Sequence, residues 1–274
     1  MTGYKITVGN CEIISLTDLE MQFPWSMFFP NLKDTDYEPY RELYPACYGE
    51  RGFKTDAGAY AVRSSGKTVV VDTGLGPGPH PWLGGMNGRL VDDMAEKGVT
   101  PESVDIVVHT HLHGDHVGWN LTDGKPTFPN AIYYAPEADM TFFEASLASN
   151  PQMQQVLPLR EMGKLQTYSG EISITPDLTT VPTPGHTPGH SSVLISSGGE
   201  KAIVMGDVAH HPMQLDRTEW SPAFDVDGKA SAVTRAKIAD RLESENIIAA
   251  FCHFPGEGFG RITRDGGRRV FRAL

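Results

Sequence analysis

The segment HTHLHGDH, at residues 109–116, constrains this chain more than any other feature of its sequence. It continues the short, almost wholly apolar run VDIVVHT, which is typical of a β-strand covered on both faces. A loop at the end of such a strand can turn alternate side chains into one pocket. Imidazole suits zinc and similar transition metals, and carboxylate suits harder ions. The segment therefore predicts a site for Zn, Fe, Mn or Co that uses four ligands: His111, His113, Asp115 and His116.

Composition limits the partners of the chain. Its 274 residues include 23 basic and 34 acidic side chains, for a formal net charge of −11. This balance argues against a nucleic-acid surface and against docking on anionic lipid. The cysteines (Cys11, Cys47 and Cys252) are far apart and form no CxxC motif, so neither a disulfide framework nor a cysteine zinc site is expected. No signal peptide or membrane span is indicated, and we expect a cytoplasmic protein.

Apolar runs bounded by turn signals predict strands in two blocks, each followed by helices. The first block holds a hairpin-like pair, AYAVRS and KTVVVDTG, and the runs VDIVVHT and AIYYA; the second holds LTTVPT, SVLISS, AIVMGD and IIAAFCH. Helices are predicted at 89–97, 136–148 and 229–244. A long loop rich in aromatic residues and proline is expected at about 18–55. Two such blocks favour two packed sheets with helices outside, in a single domain spanning residues 1–274.

Several motifs in this order resemble the metallo-β-lactamase superfamily. HLHGDH matches its HxHxDH signature, and TPGHTPGH (183–190), MGD (205–207), AFCH (250–253) and VDTG (71–74) match further family segments. The resemblance implies an αββα sandwich, that is, an α/β fold of two mixed β-sheets flanked by helices. It also implies two divalent metal ions, with zinc expected and Mn, Co or Fe as alternatives.

The resemblance assigns ligands position by position. One ion would be held by His111, His113 and His186, the other by Asp115, His116 and His253, and Asp207 would bridge them. Paired ions of this kind lie about 3.5–4 Å apart and lower the pKa of water, which makes it a nucleophile near neutral pH. Asp72 is expected to orient ligands, His109 to pack or orient a ligand, and His190 to form hydrogen bonds within its loop. His80 is expected at the surface.

Two blocks suggest a branch of the family. GDVAHHPMQ (206–214) and HFPGEGFGR (253–261) resemble the methyl parathion hydrolase group and its lactone-hydrolysing relatives. Neighbouring N-acyl-homoserine lactone lactonases often carry a tyrosine three residues after the bridging aspartate, where this chain has His210. This difference favours the organophosphate and aryl-ester side. The predicted catalytic residues are Asp115, Asp207 and His210. His210 is expected to bind a substrate oxygen or to act as an acid, and a packing role is the alternative.

The aromatic run FPWSMFFPNL supplies candidates for a substrate wall. Trp25, Phe28 and Phe29, together with Phe23, are expected to cover the metals, because small-molecule pockets are mostly apolar. Packing on the core or on a second subunit is the alternative, so a homodimer stays open. Further wall candidates are Trp82, Trp119 and Trp220.

Three functions follow from these patterns. The leading hypothesis is hydrolysis of a lactone or related ester, with phosphotriester or aryl-ester hydrolysis as a side activity on small-molecule substrates. A glyoxalase II-type thioester hydrolase is the second, but no obvious cluster of lysine and arginine that could grip an acidic substrate follows the last ligand beyond Arg261, Arg264, Arg268 and Arg269. The third is a metal-binding sensor without turnover, which would not need all seven ligand positions.

Overall fold

The fold is described from a computed structural model that covers residues 4–256 and 258–274. Residues 1–3 of the N-terminal segment, in which no signal peptide is indicated, and Glu257 of the HFPGEGFGR block lie outside the described residues. Within the described part, no helix is long and apolar enough to cross a membrane.

The first sheet combines an antiparallel half with a parallel half. In the described residues its strand order is β1-β2-β4-β5-β6-β9-β10, with β3 added beside β4. The pairs from β1 to β5 are antiparallel, whereas β5, β6, β9 and β10 are parallel. The strands are β1 (Lys5–Val8), β2 (Cys11–Phe23), β3 (Tyr48–Gly49), β4 (Gly52–Ser64), β5 (Lys67–Val71), β6 (Ile106–Val108), β9 (Ile132–Pro136) and β10 (Leu165–Tyr168). A separate small hairpin pairs β7 (Leu121–Thr122) with β8 (Lys125–Pro126).

The second sheet follows chain order and is also mixed. Its strands are antiparallel except for the parallel pair β14–β15. They are β11 (Ser173–Thr175), β12 (Leu178–Pro182), β13 (Ser191–Ser197), β14 (Glu200–Val204), β15 (Ile248–Ala250), β16 (Phe259–Asp265) and β17 (Arg268–Ala273). The helices are α1 (Trp25–Phe28), α2 (Asp34–Tyr37), α3 (Leu90–Glu96), α4 (Gly114–Val117), α5 (Glu137–Glu144), α6 (Leu157–Glu161) and α7 (Gly228–Ser244).

Alternation along the strands builds the layers. In β5, Val69 and Val71 enter a core shared with Val193 of the second sheet, whereas Val70 packs on the opposite face with Leu90 of α3. In β14, Ile203 instead joins the cluster under α7. This pattern follows from the two-residue period of a strand. The predicted αββα sandwich of two mixed sheets flanked by helices is confirmed.

The predicted loop at about 18–55 is shorter than expected. β2 continues to Phe23 and β4 begins at Gly52, and the two strands pair in register as far as Phe23 opposite Phe53. The strand signal was obscured by Asp18, which lies where the register shifts between Thr17 and Leu19. The segment between β2 and β4 is therefore 24–51, and it contains two short helices and the two-residue strand β3.

Helix boundaries also differ from the sequence-based prediction. The helix expected at 136–148 spans Glu137–Glu144 and is followed by short 3₁₀ turns. The helix expected at 229–244 begins one residue earlier, at Gly228. The side chain of Asp227 caps it by accepting hydrogen bonds from the backbone N–H groups of Lys229 and Ala230.

Candidate metal centre

Loops at one edge of the sandwich carry the predicted ligands. The loop after β6 and the helix α4 carry four of them, and the segments after β12, β14 and β15 carry His186, Asp207 and His253. β14 and β15 are parallel, and two antiparallel pairings give β12 the direction of β14. The carboxyl ends of these strands therefore meet at the same edge, where distant parts of the sequence come into contact.

The turn that presents Asp207 depends on the glycine before it. Gly206 has a φ of +56°, and a Cβ there would lie 2.7 Å from Nε2 of His190 and 2.8 Å from Oγ1 of Thr110. His190 Nε2 accepts a hydrogen bond from the backbone N–H of Asp207 at 2.9 Å, and its Nδ1 lies 2.8 Å from Oγ1 of Thr183. His190 thus forms the hydrogen bond expected within its loop and also fixes the Asp207 turn.

One group of potential ligand atoms surrounds a common point. Nδ1 of His113 lies 3.1 Å from Nε2 of His111 and 2.8 Å from Nε2 of His186. Oδ2 of Asp207 lies 3.0 Å from Nε2 of His186 and 3.5 Å from Nε2 of His111. Three imidazole nitrogens and one carboxylate oxygen are donors suited to zinc and related ions. We refer to His111, His113, His186 and Asp207 as the first group.

A second group meets the other oxygen of the same carboxylate. Oδ1 of Asp207 lies 3.1 Å from Nε2 of His116 and 3.1 Å from Nε2 of His253. The Asp115 carboxylate lies 3.9 Å from Nε2 of His116 and 3.6 Å from Nε2 of His253. Both Nε2 atoms are buried and make no hydrogen bond within the described residues, so a bound ion would fit their unused lone pairs. We refer to His116, His253, Asp207 and Asp115 as the second group.

The outward nitrogens of these histidines are tied to the protein. His116 Nδ1 lies 2.9 Å from Oδ2 of Asp72, and the same oxygen accepts a hydrogen bond from the Thr110 hydroxyl, which is 3.0 Å from Nδ1 of His111. His253 Nδ1 donates to the backbone carbonyl of Asp56 at 2.6 Å. Such contacts fix the ring orientation and leave Nε2 free to bind a metal. The structure places Asp72 where its predicted orienting role requires.

Electrostatics at the centre favours positive charge. Burial raises the pKa of the Asp207 carboxyl, but His116 and His253 outweigh it, so the pKa lies well below its usual range. Burial lowers the pKa of His186, but Asp207 and Asp225 outweigh it and raise the pKa to about 9. For His113, burial prevails and lowers the pKa to about 3, which keeps the ring neutral as a ligand requires. The buried carboxylates thus provide the field that a divalent cation needs.

A cavity of about 470 Å³ opens onto the ligand cluster. Its floor includes five of the seven predicted ligands and His210, whose Nε2 lies 3.1 Å from Oδ2 of Asp207. Its walls are mostly apolar, and the large side chains that line them are Met21, Phe23, Met27, Phe28, Leu75, Trp82, Phe143 and Phe224. A polar floor beneath apolar walls is typical of a small-molecule site.

The expected aromatic wall divides into two layers. Phe23 and Phe28 line the cavity, but Trp25 and Phe29 do not. Trp25 stacks on Tyr37 with ring centroids 4.1 Å apart, and Phe29 is only 1% exposed in the core behind the cavity. The structure therefore differs from the expectation that these two residues cover the metals. The reason is that Trp25 stacks on Tyr37 in the protein interior, whereas Phe28 meets His210 and Phe224 at the cavity.

The remaining tryptophan and histidine candidates differ in their burial and in their position relative to the cavity. Trp82 lines the cavity mouth and is 58% exposed, whereas Trp119 is buried and donates to Asp18, and Trp220 packs on Tyr40 away from the cavity. His109 is buried behind the ligands, as expected for a packing role. His80 is half-buried instead of lying at the surface, because its Nε2 is 3.0 Å from the carbonyl of Gly76 and its backbone pairs with Met86.

Sequence reasoning missed residues that support the ligands. The Asp225 carboxylate is 1% exposed, and its Oδ1 lies 2.8 Å from Nδ1 of His186. Its Oδ2 pairs at 3.2 Å with Arg235, a buried residue in α7. Cys252, for which no metal role was expected, has its sulfur 3.5 Å from Oδ1 of Asp207. Asp225 lies in no motif, whereas the position of Cys252 next to His253 was a signal.

Residues 57–271 match the family described as Metallo-beta-lactamase superfamily, and the chain belongs to this superfamily. An N-acyl homoserine lactonase from Bacillus sp is 26% identical over 167 residues, which is 60% of this chain and 62% of that protein. The chain is thus a distant homologue of these lactonases and spans less than two thirds of their length.

Solved structures agree over almost the whole chain. A hydrolase named AbOPH, of the beta lactamase superfamily, is 25% identical with a TM-score of 0.88, covering 100% of this chain and 98% of that one. The dizinc quorum-quenching lactonase AidC, solved with a product, is 21% identical with a TM-score of 0.85, covering 98% of this chain and 96% of that one. The likeness to AidC shows a common fold.

Replacing Asp225 tests whether the contact with His186 matters. We expect Asp225→Ala to weaken metal binding by about 10–100-fold, because His186 loses the partner that orients its ring. The measurement is competition for Zn²⁺ with a chromophoric chelator. Glu219→Ala, in the same loop but exposed, is the control. Equal affinities for Asp225→Ala and wild type would contradict the role.

Proposed function

We propose that the protein is a hydrolase that uses two divalent metal ions, zinc first among them, to cleave a lactone or a related ester. The observation that carries this proposal is the convergence of seven His and Asp side chains, from four loops, beneath a largely apolar cavity whose floor includes five of them. When bound, such ions lower the pKa of water and polarise the substrate oxygen. The lactonase relatives support the ester class of substrate.

The two ligand groups are proposed to hold separate ions and to share one residue. In this proposal the first group and the second group each hold one ion, and Asp207 joins them because its two oxygens face different groups. Asp115 contributes to the second group, and its side chain is 27% exposed, so it also faces the cavity. A carboxylate in that position can bind an ion and accept a proton from water as water attacks the substrate.

His210 is proposed to contact the substrate. Its ring stacks on His253 with centroids 5.0 Å apart, meets Phe28 edge-on and lines the cavity. Its Nδ1 makes no hydrogen bond within the described residues. A histidine that lines the cavity beside the ligand cluster and has a buried nitrogen without a partner suits the binding of a substrate oxygen or the transfer of a proton to the leaving group.

Charge around the cavity bears on the alternatives. Among the described lining residues there is no lysine or arginine. Arg264 on β16 and Arg269 on β17 instead pair with Glu243 of α7, and Arg261 donates to the carbonyl of Asn246. A grip on the carboxylates of a glutathione thioester is therefore not supported. Neutral esters and phosphotriesters suit an apolar wall, so phosphotriester or aryl-ester hydrolysis is retained as a proposed side activity of this site.

A substrate panel tests the proposed reaction. Protein loaded with Zn²⁺, Mn²⁺ or Co²⁺ is assayed on dihydrocoumarin, acyl-homoserine lactones, paraoxon-type triesters and S-lactoylglutathione. We expect lactone turnover, and we expect Asp207→Ala and His116→Ala to reduce it by at least about 100-fold and to lower the metal content. Exposed Glu161→Ala is the control. Turnover of the thioester alone would reject the proposal, and two bound ions without turnover of any substrate would favour a sensor.

The aromatic residues provide a second test. We expect Phe28→Ala to raise KM or alter the preference among lactones more than Trp25→Ala does, because only Phe28 lines the cavity. Trp25→Ala should instead lower the free energy of unfolding by about 3 kcal/mol, the cost of truncating a large core side chain. Steady-state kinetics and denaturant unfolding of both variants measure these effects. A larger kinetic effect for Trp25→Ala would contradict this division.

His210 can be separated from the metal ligands. We expect His210→Phe, which keeps a ring against Phe28 but removes the polar atoms, to lower kcat/KM by about 10–100-fold. The number of bound ions should remain that of the wild type. Elemental analysis measures the number of bound ions, and lactone kinetics on the same preparation measure kcat/KM. Unchanged kcat/KM would leave His210 with only the packing role.

A further inference from the structure

Asp139 is a buried carboxylate that belongs neither to the ligand groups nor to the cavity lining. It lies on α5, its side chain is fully buried, and it accepts three hydrogen bonds. Oδ2 accepts from the backbone N–H of Leu112 at 3.1 Å and from the hydroxyl of Thr187 at 2.8 Å. Oδ1 accepts from the backbone N–H of Gly189 at 2.6 Å. Such a carboxylate, with donors on both oxygens, is strongly held.

The donors lie next to every histidine of the first group. Leu112 stands between His111 and His113, and Thr187 follows His186 directly. One carboxylate thus connects the HTHLHGDH loop to the TPGHTPGH loop, which are some 70 residues apart in the sequence. The relative position of the three imidazoles depends on this connection.

Gly189 permits the close approach. A Cβ at residue 189 would lie 2.8 Å from Oδ1 of Asp139 and 2.7 Å from Cβ of Pro136. Any larger residue would push the loop away from α5. The TPGHTPGH motif therefore supplies both a ligand and the contacts that bind its loop to Asp139.

The second group is supported elsewhere. His116 contacts Asp72, and His253 contacts the backbone of Asp56. Neither makes a hydrogen bond to Asp139 or to the three donors that it binds. Asp207 is common to both groups, and Asp72 also reaches His111 through the Thr110 hydroxyl, but the hydrogen bonds to Asp139 come only from neighbours of the first group.

We propose that Asp139 is a positioning residue that holds His111, His113 and His186 in place and so sets the affinity of the first group for a divalent ion. It does so without contacting the ion or the substrate. The proposal rests on the proposed function, because it assumes that the first group binds metal.

The test is a metal titration of Asp139→Asn. The amide has nearly the same size, but it loses the charge and turns an N–H₂ group toward a donor. Metal-free protein is titrated with Co²⁺ while the visible absorption of the bound ion is followed, and with Zn²⁺ in competition with a chromophoric chelator. We expect one of the two binding steps to weaken by about 10–100-fold and the other to stay as in wild type. Glu137→Gln, the same change on an exposed residue of α5, should match wild type.

A second variant covers the case in which Asp139→Asn does not fold, as judged by circular dichroism. Thr187→Val removes only one of the three hydrogen bonds, and it should weaken the same step by a smaller factor. Two wild-type binding steps in folded Asp139→Asn, or in Thr187→Val if the first variant is unfolded, would overturn the inference alone. Wild-type protein that binds no ion would overturn the proposed function as well.

Discussion

The structure depends on one carboxylate, that of Asp207, which is buried with histidines on all sides. An ionised group in the protein interior is costly unless charge and hydrogen bonds offset the loss of water. Here Oδ1 faces His116 and His253, and Oδ2 faces His186 and His210, each within 3.1 Å. These rings come from separate loops, so the carboxylate is tolerated only when the whole edge of the sandwich is assembled. Assembly of these loops therefore stabilises the carboxylate and forms the site at the same edge.

The sheets make that assembly possible. Because β14 and β15 are parallel, the residues that follow them, Asp207 and His253, emerge side by side. The β5–β6 pair does the same in the other sheet, where Asp72 and the HTHLHGDH loop follow neighbouring strands. The core shared by Val69, Val71 and Val193 packs the two sheets against each other. The residues that follow the strands of one sheet therefore contact those that follow the strands of the other. Apolar packing between the sheets, away from the site, thus contributes to the distances among the predicted ligands.

What the sequence could predict follows from the range of the interactions involved. The predicted ligand positions lie at strand ends marked by short motifs, so His111, His186 and Asp207 could be proposed from local patterns. Asp139 and Asp225 could not, because no short motif or regular spacing links an aspartate to a loop that lies about 30–50 residues away in the sequence. The end of β2 was missed for a related reason: pairing with β4 stabilises a strand whose own residues include a buried acid, Asp18.

The aromatic run shows a different limit. Trp25 and Phe28 lie in one turn of helix, where residues three apart share a side in the absence of other constraints. Hydrophobicity predicts only that both are covered, and it does not say whether protein or ligand covers them. Trp25 stacks on Tyr37 on the inner side, whereas Phe53 contacts both Trp25 and Phe28. Phe28 also meets His210 and the exposed ring of Phe224.

The segment 223–227 that carries Phe224 also carries Asp225, and its backbone binds Phe28 and the His186 loop. The apolar wall and the support of a ligand are therefore one element, so a change in the shape of the wall reaches the ligand cluster through Asp225.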